Sequence, residues 1–132
     1  MGSFDLILAT MVFNEVSTGW LKRALKECRR VLRPAGLLLI TITHPDFIAG
    51  LQRREMLRPV SKGGLTMPGT GSMRLPIVPR RRKDYERLLA AAGFTWAATN
   101  AYAGEQVRHD KPGLRHTGDI PFALLLACRI TE

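Results

Sequence analysis

Two continuous apolar runs flank one amphipathic segment within the first 43 residues. The runs cover residues 4–11 and 37–43, and both are short and uninterrupted, as buried strands of a parallel sheet with both faces covered are. Between them, in residues 20–32, apolar residues recur at intervals of three and four, which is typical of a helix with one buried face. This order predicts a right-handed βαβ unit whose two strands lie parallel in one sheet.

The ends of these elements carry recognisable signals. Ser17 or Thr18 can cap the helix, because a side-chain hydroxyl accepts a hydrogen bond from a free N–H group of the first turn. Pro34 ends the helix, and the Arg-Pro-Ala-Gly turn leads into the second strand. Residues 43–47, Thr-His-Pro-Asp-Phe, then follow at the carboxyl end of that strand, the edge at which open α/β sheets bind ligands.

The middle of the sequence shows little periodicity. Residues 48–79 are rich in Gly, Pro, Met and Arg, which predicts an irregular, lid-like segment. Within it, Gly69 and Gly71 begin a Gly-x-Gly pattern, but Arg74 occupies the third glycine position of a phosphate-binding loop. We therefore interpret this stretch as a flexible loop.

Three further elements complete the predicted fold. Residues 85–92 predict a helix that ends at Gly93, and residues 95–103 and 122–131 predict two strands. The polar loop between these strands contains no convincing helix, so we expect them to pair antiparallel. The resulting order, β-α-β-loop-α-β-β, is that of an α/β fold.

The net charge of +9 is concentrated in one part of the sequence. Residues 51–83 carry nine basic side chains and one acidic side chain, which favours a surface that contacts something anionic. Arg80, Arg81, Arg82 and Lys83 precede the second helix, where the helix dipole disfavours cations. This cluster is either an anion contact or a solvent-exposed group. The basic residues of the first helix lie opposite its apolar face, and we interpret them as a solvated surface rather than a nucleic-acid-binding stripe.

Several classes of protein are not expected from this sequence. Its apolar runs are much shorter than the roughly 20 residues of a membrane-spanning helix, and no signal-peptide pattern is present. Cys28 and Cys128 are not spaced as ligands with each other or with histidines, so no metal is expected. Two reduced thiols fit a cytoplasmic protein.

Three stretches of the sequence resemble the second half of class I S-adenosylmethionine-dependent methyltransferases. GSFDLILATMVFNEV is similar to the family's fourth strand and the turn after it. LKECRRVLRPAGLLLITITHPDF is similar to the following helix, turn and fifth strand, and DYERLLAAAGF is similar to the last helix. The resemblance implies a partial Rossmann-like methyltransferase sheet, a single partial domain in residues 1–132 that begins at the family's fourth strand.

The same resemblance implies methyl transfer from S-adenosylmethionine to an unidentified small-molecule acceptor. The family's Gly-rich cofactor loop belongs to its first half and has no counterpart in this sequence. We therefore expect a truncated chain that is inactive alone and binds S-adenosylmethionine weakly or not at all. By their positions in the family's motifs, Ala9, Thr10 and Met11 would contact the methionine part of the cofactor.

Five residues are candidates for catalysis or substrate binding. The resemblance places Asn14 and Glu15 near the transferring methyl group or the substrate, and places His44 facing the substrate pocket. Glu15 and His44 are the candidate catalytic residues, with His44 able to act as a base. A histidine at a strand end can also be a cap or an exposed residue, so this alternative stays open. Arg81 and Arg82 are candidate substrate-binding residues.

Two hypotheses about partners follow. If the first strand is a middle strand of the family's sheet, it becomes an exposed apolar edge here, and one face of the sheet loses its helices. We then expect a homodimer or a partner that covers this strand. The alternative is a non-catalytic basic module that contacts nucleic acid or another anionic partner through residues 51–83. Few aromatic residues near this segment could stack on bases, so we rank the alternative second.

Overall fold

The structure, a computed structural model, describes residues 2–55, 57–59, 65–68, 74–111 and 118–132. The elements in chain order are β1 (Phe4–Thr10), a 3-10 turn (Phe13–Glu15), α1 (Thr18–Val31), β2 (Leu32–Thr43), α2 (Pro45–Arg53), β3 (Arg58–Pro59), β4 (Leu65–Pro68), β5 (Arg74–Ile77), α3 (Arg82–Ala91), β6 (Phe94–Ala101), α4 (Glu105–Asp110) and β7 (Ala123–Ile130).

The predicted βαβ unit is confirmed, since β1 and β2 pair in parallel and α1 connects them. Ser17 is the cap of α1, and its hydroxyl accepts a hydrogen bond from the backbone N–H of Trp20. The helix ends at Val31 and β2 begins at once. The predicted turn is therefore an irregularity inside β2, where the pairing with β1 shifts register.

The predicted terminal strand pair is also confirmed. The main sheet has the order β1-β2-β7-β6, in which β7 pairs antiparallel with both β2 and β6. The short helix α4 lies in the connection from β6 to β7, which the sequence had suggested was a loop. Gly93 ends α3 with a φ of 88°, a left-handed conformation that glycine adopts without a side-chain clash.

One face of the main sheet carries the core. Leu38, Leu124, Leu126 and Cys128 on this face are fully buried, and Leu25 of α1 packs in the same cluster. From α3, the same cluster includes Tyr85 and Leu89. Trp20 was expected on the buried face of α1, but it is 64% exposed and lies against the Arg23 guanidinium, 5.0 Å from the ring centroid.

The opposite face of the sheet is open. Leu6 is 51% exposed and Leu8 is 62% exposed, and β1 forms an edge of the sheet. The register places these two side chains on one face with others from β2 and β7; this open face comprises Leu6, Leu8, Leu37, Leu39, Thr41, Leu125 and Ala127. The prediction that both faces of β1 are covered is thus wrong for this structure, and the expected exposed apolar edge is confirmed.

Where the structure describes them, residues 48–79 are more regular than predicted. Most of α2 lies in this range, and β3, β4 and β5 form a separate antiparallel sheet of three short strands. Phe47, Ile48 and Leu51 of α2 pack with Ile77, at the end of β5, in a second apolar cluster. Gly69 and Gly71 lie outside the described residues.

The start of α3 differs from the prediction. The helix α3 begins three residues earlier than predicted, because Asp84 in its first turn accepts a hydrogen bond from the backbone N–H of Arg81 at 2.8 Å.

Among the residues that the structure describes, no helix combines the length and the apolar character that crossing a membrane requires.

Because one face of the sheet is buried and the other is open, removing a leucine side chain should lower the free energy of unfolding much more on the buried face. Leu126→Ala should lower the free energy of unfolding by about 2–5 kcal/mol, because the change leaves a cavity in the core. The matched change Leu8→Ala on the open face should cost less than about 1 kcal/mol. Urea unfolding followed by circular dichroism measures both. An equally large loss for Leu8→Ala would show that the open face is covered.

Candidate functional site

The carboxyl ends of β1 and β2 meet at one edge of the main sheet. After β1 the chain turns at Met11, whose φ of 55° is left-handed and costs a side-chain-bearing residue about 1–2 kcal/mol. The backbone N–H of Met11 donates to the carbonyl oxygen of Thr41 at 2.8 Å, which fixes this turn against β2. The strained turn directs the following 3-10 turn across the top of the sheet.

The three predicted cofactor-contacting residues lie at this edge in different environments. Ala9 is 8% exposed and its side chain belongs to the core, so the strand can offer only its backbone at that position. Thr10 is exposed and Met11 is half-buried. The hydroxyl of Thr43, at the end of β2, donates to the sulfur of Met11 at 3.9 Å.

Asn14 and Glu15 occupy the 3-10 turn beside Met11. Asn14 is 4% exposed, and its side-chain oxygen Oδ1 has no hydrogen-bond partner among the described residues. Its backbone carbonyl accepts from the N–H of Val78 at 2.8 Å, which ties the turn to the end of β5. Glu15 is half-buried, and its carboxylate forms no ion pair within the described part of the chain. Asn14 is thus a buried acceptor without a donor, and Glu15 is a partly exposed carboxylate without an ion-pair partner, in the described part of the chain.

His44 lies at the end of β2 and is 4% exposed. Its Nδ1 accepts a hydrogen bond from the backbone N–H of Asp46 at 3.0 Å, which caps the start of α2. Nε2 lies 2.9 Å from Oδ1 of Asn100, so the neutral ring with its proton on Nε2 satisfies both contacts. This geometry matches the capping alternative, and a base role would require Asn100 to release Nε2.

Arg80 is a structural residue of this edge that the sequence did not distinguish from its basic neighbours. Its guanidinium donates to the carbonyl oxygen of Phe13 at 2.8 Å and to that of Val16 at 2.6 Å. It also lies over the ring of Tyr85, 5.4 Å from the centroid, and burial raises the pKa of that phenol. Arg80 therefore holds the 3-10 turn against α3 and is not a free cation.

Arg81 and Arg82 face a cleft between α2 and α3. The cleft has a volume of about 390 Å³, and its wall also includes Asp46 and Asp84. Arg81 lies 3.5 Å from Asp84, and Arg82 lies 3.7 Å from Glu86. The hydrogen bond from the Arg81 backbone is the main cause that lowers the pKa of Asp84. The cleft therefore carries both signs of charge rather than a purely basic wall.

The sequence did not predict one residue and one helix of this edge, Asn100 and α2. Asn100 could have been noticed as the amide side chain near the end of β6, but its contact with His44 spans 56 positions. The helix α2 carried a clearer signal, since Pro45 at its first position and Asp46 in its first turn are typical of a helix start.

Metal and thiol chemistry receive no support from the described residues. Within them, no three His, Cys, Asp or Glu side chains are grouped so that they could hold a metal ion. Cys28 and Cys128 are free thiols, and burial raises the pKa of Cys128 to about 12. A thiol with so high a pKa is a poor nucleophile at neutral pH.

The comparisons with known proteins agree with this architecture. A family model described as a methyltransferase domain matches residues 1–40, which contain β1, α1 and most of β2. No curated protein matches the sequence.

Similar solved structures are S-adenosylmethionine-dependent methyltransferases. A candidate enzyme of this kind from Listeria monocytogenes is 15% identical with a TM-score of 0.72, covering 98% of this chain and 62% of its own. One from Methanosarcina mazei is 17% identical with a TM-score of 0.68, covering 99% of this chain and 61% of its own. The 1,6-didemethyltoxoflavin-N1-methyltransferase of Burkholderia thailandensis, solved with 1,6-didemethyltoxoflavin and S-adenosylhomocysteine, is 16% identical with a TM-score of 0.55, covering 98% of this chain and 44% of its own.

These comparisons confirm the predicted α/β fold and the mixed sheet. The chain spans about half to three fifths of the length of these three structures.

The position of His44 predicts that a capping side chain can replace it without loss of stability. His44→Ala should lower the free energy of unfolding by about 0.5–2 kcal/mol, because the first turn of α2 loses its cap. His44→Asn should recover most of this loss, since an asparagine oxygen caps a helix well. Urea unfolding measures both variants, and equal stability of His44→Ala and the parent chain would contradict the capping role.

Proposed function

We propose that this chain contributes to the transfer of a methyl group from S-adenosylmethionine to a small-molecule acceptor. The observation that carries the proposal is the edge where Thr10 and Met11 meet the buried side chains of Asn14 and His44. Ligands of open α/β sheets bind at this edge. The methyltransferase family model in residues 1–40 and the shared fold support the same activity.

The residues at this edge fit the methionine part of the cofactor. The Oδ1 atom of Asn14 is a buried acceptor without a donor in the described part of the chain, and leaving it unpaired costs about 1–3 kcal/mol. An ammonium group, which the methionine part carries, is a donor that would satisfy it. The exposed hydroxyl of Thr10 and the half-buried side chain of Met11 would lie beside it.

When bound, S-adenosylmethionine supplies a methyl group that its sulfonium already activates. The chain therefore needs to hold the acceptor in line and to exclude water, and positioning of this kind supplies much of the rate. Glu15 is suited to accept a proton from the acceptor, because its half-buried carboxylate has no ion-pair partner in the described residues. His44 instead acts as a positioning residue, which fixes α2 and Asn100 at the same edge.

We place the acceptor in the cleft between α2 and α3. Its volume of about 390 Å³ falls within the range of small-molecule sites. Arg81 and Arg82 would contact an anionic group of the acceptor, while Asp46 and Asp84 restrict the amount of negative charge that the cleft accepts.

A second copy of this chain, or a partner, would cover β1 and the open face. The exposed side chains of Leu6 and Leu8 support this part of the proposal, since soluble proteins seldom leave such a patch uncovered. A partner that carries a Gly-rich cofactor loop would also complete the cofactor site, whereas a second copy of this chain would only cover the face, so the chain alone would be inactive and bind the cofactor weakly. The free thiols Cys28 and Cys128 fit the cytoplasm as the place of the reaction.

The cofactor site can be tested by amide NMR with S-adenosylhomocysteine, because NMR detects weak binding residue by residue. At millimolar ligand, the amide signals of Thr10, Met11, Asn14 and Glu15 should shift. Asn14→Leu should reduce these shifts and leave the thermal stability equal or higher, because it removes a buried acceptor that lacks a partner. The control Thr95→Val lies in β6, the edge strand on the other side of the sheet from β1, and should leave the shifts unchanged.

Two results of this titration would contradict the proposal. One is the absence of shifts at the edge of β1 at the highest ligand concentration, and the other is shifts of equal size in Thr95→Val and Asn14→Leu. Micromolar affinity would contradict the weak binding expected of the chain alone. Salt-sensitive binding of DNA or RNA that shifts residues 51–55 and 80–83, with no response to S-adenosylhomocysteine, would favour the basic binding module instead.

A further inference from the structure

A groove of about 800 Å³ runs between α1, from Lys22 to Arg30, and the C-terminal end of α3. It reaches Gly2 and Leu32 at the amino ends of β1 and β2, so it lies at the edge of the sheet opposite to Met11 and His44. The proposed methyl transfer does not use this groove. We refer to it as the basic groove.

The floor of the basic groove is apolar. Leu88 and Ala92 contribute to it from α3, and Leu32 and Ile130 contribute from the sheet. Ala91, an exposed residue at the end of α3, lies at its rim. Such a floor suits the hydrocarbon or aromatic part of a ligand, and the volume falls within the range of small-molecule sites.

One wall of the basic groove is cationic. Lys22, Lys26 and Arg29 lie on successive turns of α1, and none of them forms an ion pair in the described part of the chain. Cations at this spacing repel one another and slightly destabilise a helix. The carboxylate on this wall, that of Glu27, pairs with Arg30 at 2.7 Å and leaves the other three cations uncompensated.

The third cation, Arg29, extends towards the turn that follows α3. A Cβ atom at Gly93 would come within 2.6 Å of Nε of Arg29, so this side chain lies directly against the turn. The sequence had suggested that these basic residues form a solvated surface. Lys22, Lys26 and Arg29 are indeed exposed, and they also line the same groove as the apolar residues of α3 and the sheet.

We propose that the basic groove binds a small molecule with one anionic head and an apolar body, such as a medium-chain carboxylate. The head would contact Lys22, Lys26 and Arg29, and the body would lie on Leu88 and the apolar residues around it. A purely apolar ligand would form no ion pair with the three cations, and a purely polar anion would leave the apolar floor of the groove exposed to water.

The test uses dodecanoate below its critical micelle concentration and isothermal titration calorimetry with the 132-residue chain. The parent chain should bind dodecanoate, and dodecanol, which lacks the charge, should bind at least tenfold more weakly. Lys26→Glu should weaken dodecanoate binding at least fivefold, while Lys111→Glu, which changes the net charge equally at an exposed site outside the groove, should change it less than twofold. Ala91→Trp, which fills the groove from an exposed position, should abolish binding.

A further variant separates this groove from the open face. Leu8→Asn should leave the affinity for dodecanoate unchanged, since Leu8 does not line the basic groove. The proposal is overturned if dodecanoate does not bind, if Lys111→Glu weakens binding as much as Lys26→Glu does, or if Leu8→Asn abolishes it. Binding to phosphatidylglycerol vesicles without binding of monomeric dodecanoate would also overturn it and would favour a membrane surface.

Discussion

The pairing of β2 with β1 on one side and with β7 on the other is the interaction on which the rest of the structure depends. Through it, Ile40 and Leu126 become neighbours on the covered face, where α1 and α3 pack. The same pairing brings the carboxyl end of β1 beside that of β2, so Met11 and His44 share one edge. Because a strand alternates its side chains, this arrangement also determines which leucines form the open face.

Much of this fold could be predicted from the sequence, because its signals are local. Apolar runs and helical spacing identified the strands and helices of the main sheet, and Ser17 and Gly93 marked two helix ends correctly. The helix α2 was not predicted from the sequence. Pro45 and Asp46 signal its start, but most of the helix lies in residues 48–79, which as a whole show little apolar periodicity. The exposure of β1 depends on which polypeptide segments lie over it, and the apolar run itself carries no such information.

The candidate site was harder to predict, since its contacts join distant parts of the chain. Arg80 and Arg81 are adjacent, identical in type and border the same cleft, yet Arg80 donates to backbone carbonyls of the 3-10 turn and its flank, whereas Arg81 pairs with Asp84. The contact between His44 and Asn100 likewise forms only after the sheet is assembled. The sequence could therefore place candidate residues at the carboxyl ends of β1 and β2, but it could not separate residues that hold the structure together from residues with unpaired side chains.

Two features of this edge cost free energy: the left-handed backbone of Met11 and the unpaired Oδ1 atom of Asn14. Both destabilise the chain, and both are explained if the edge receives a ligand. The basic groove lies at the amino ends of β1 and β2, whereas Met11 and Asn14 follow the carboxyl end of β1. The two proposed sites are therefore separated by the length of the strands. The open face, in turn, is suited to contact another polypeptide.

Amide hydrogen exchange in β1 would show whether this chain presents an uncovered strand beside the proposed ligand site. We expect the N–H groups of β1 that point away from β2 to exchange much faster than those of β2 and β7, which are paired on both sides. We also expect their exchange to slow when a covering polypeptide binds. Protection of all β1 amides equal to that of β2, in a chain shown to be monomeric, would contradict this expectation.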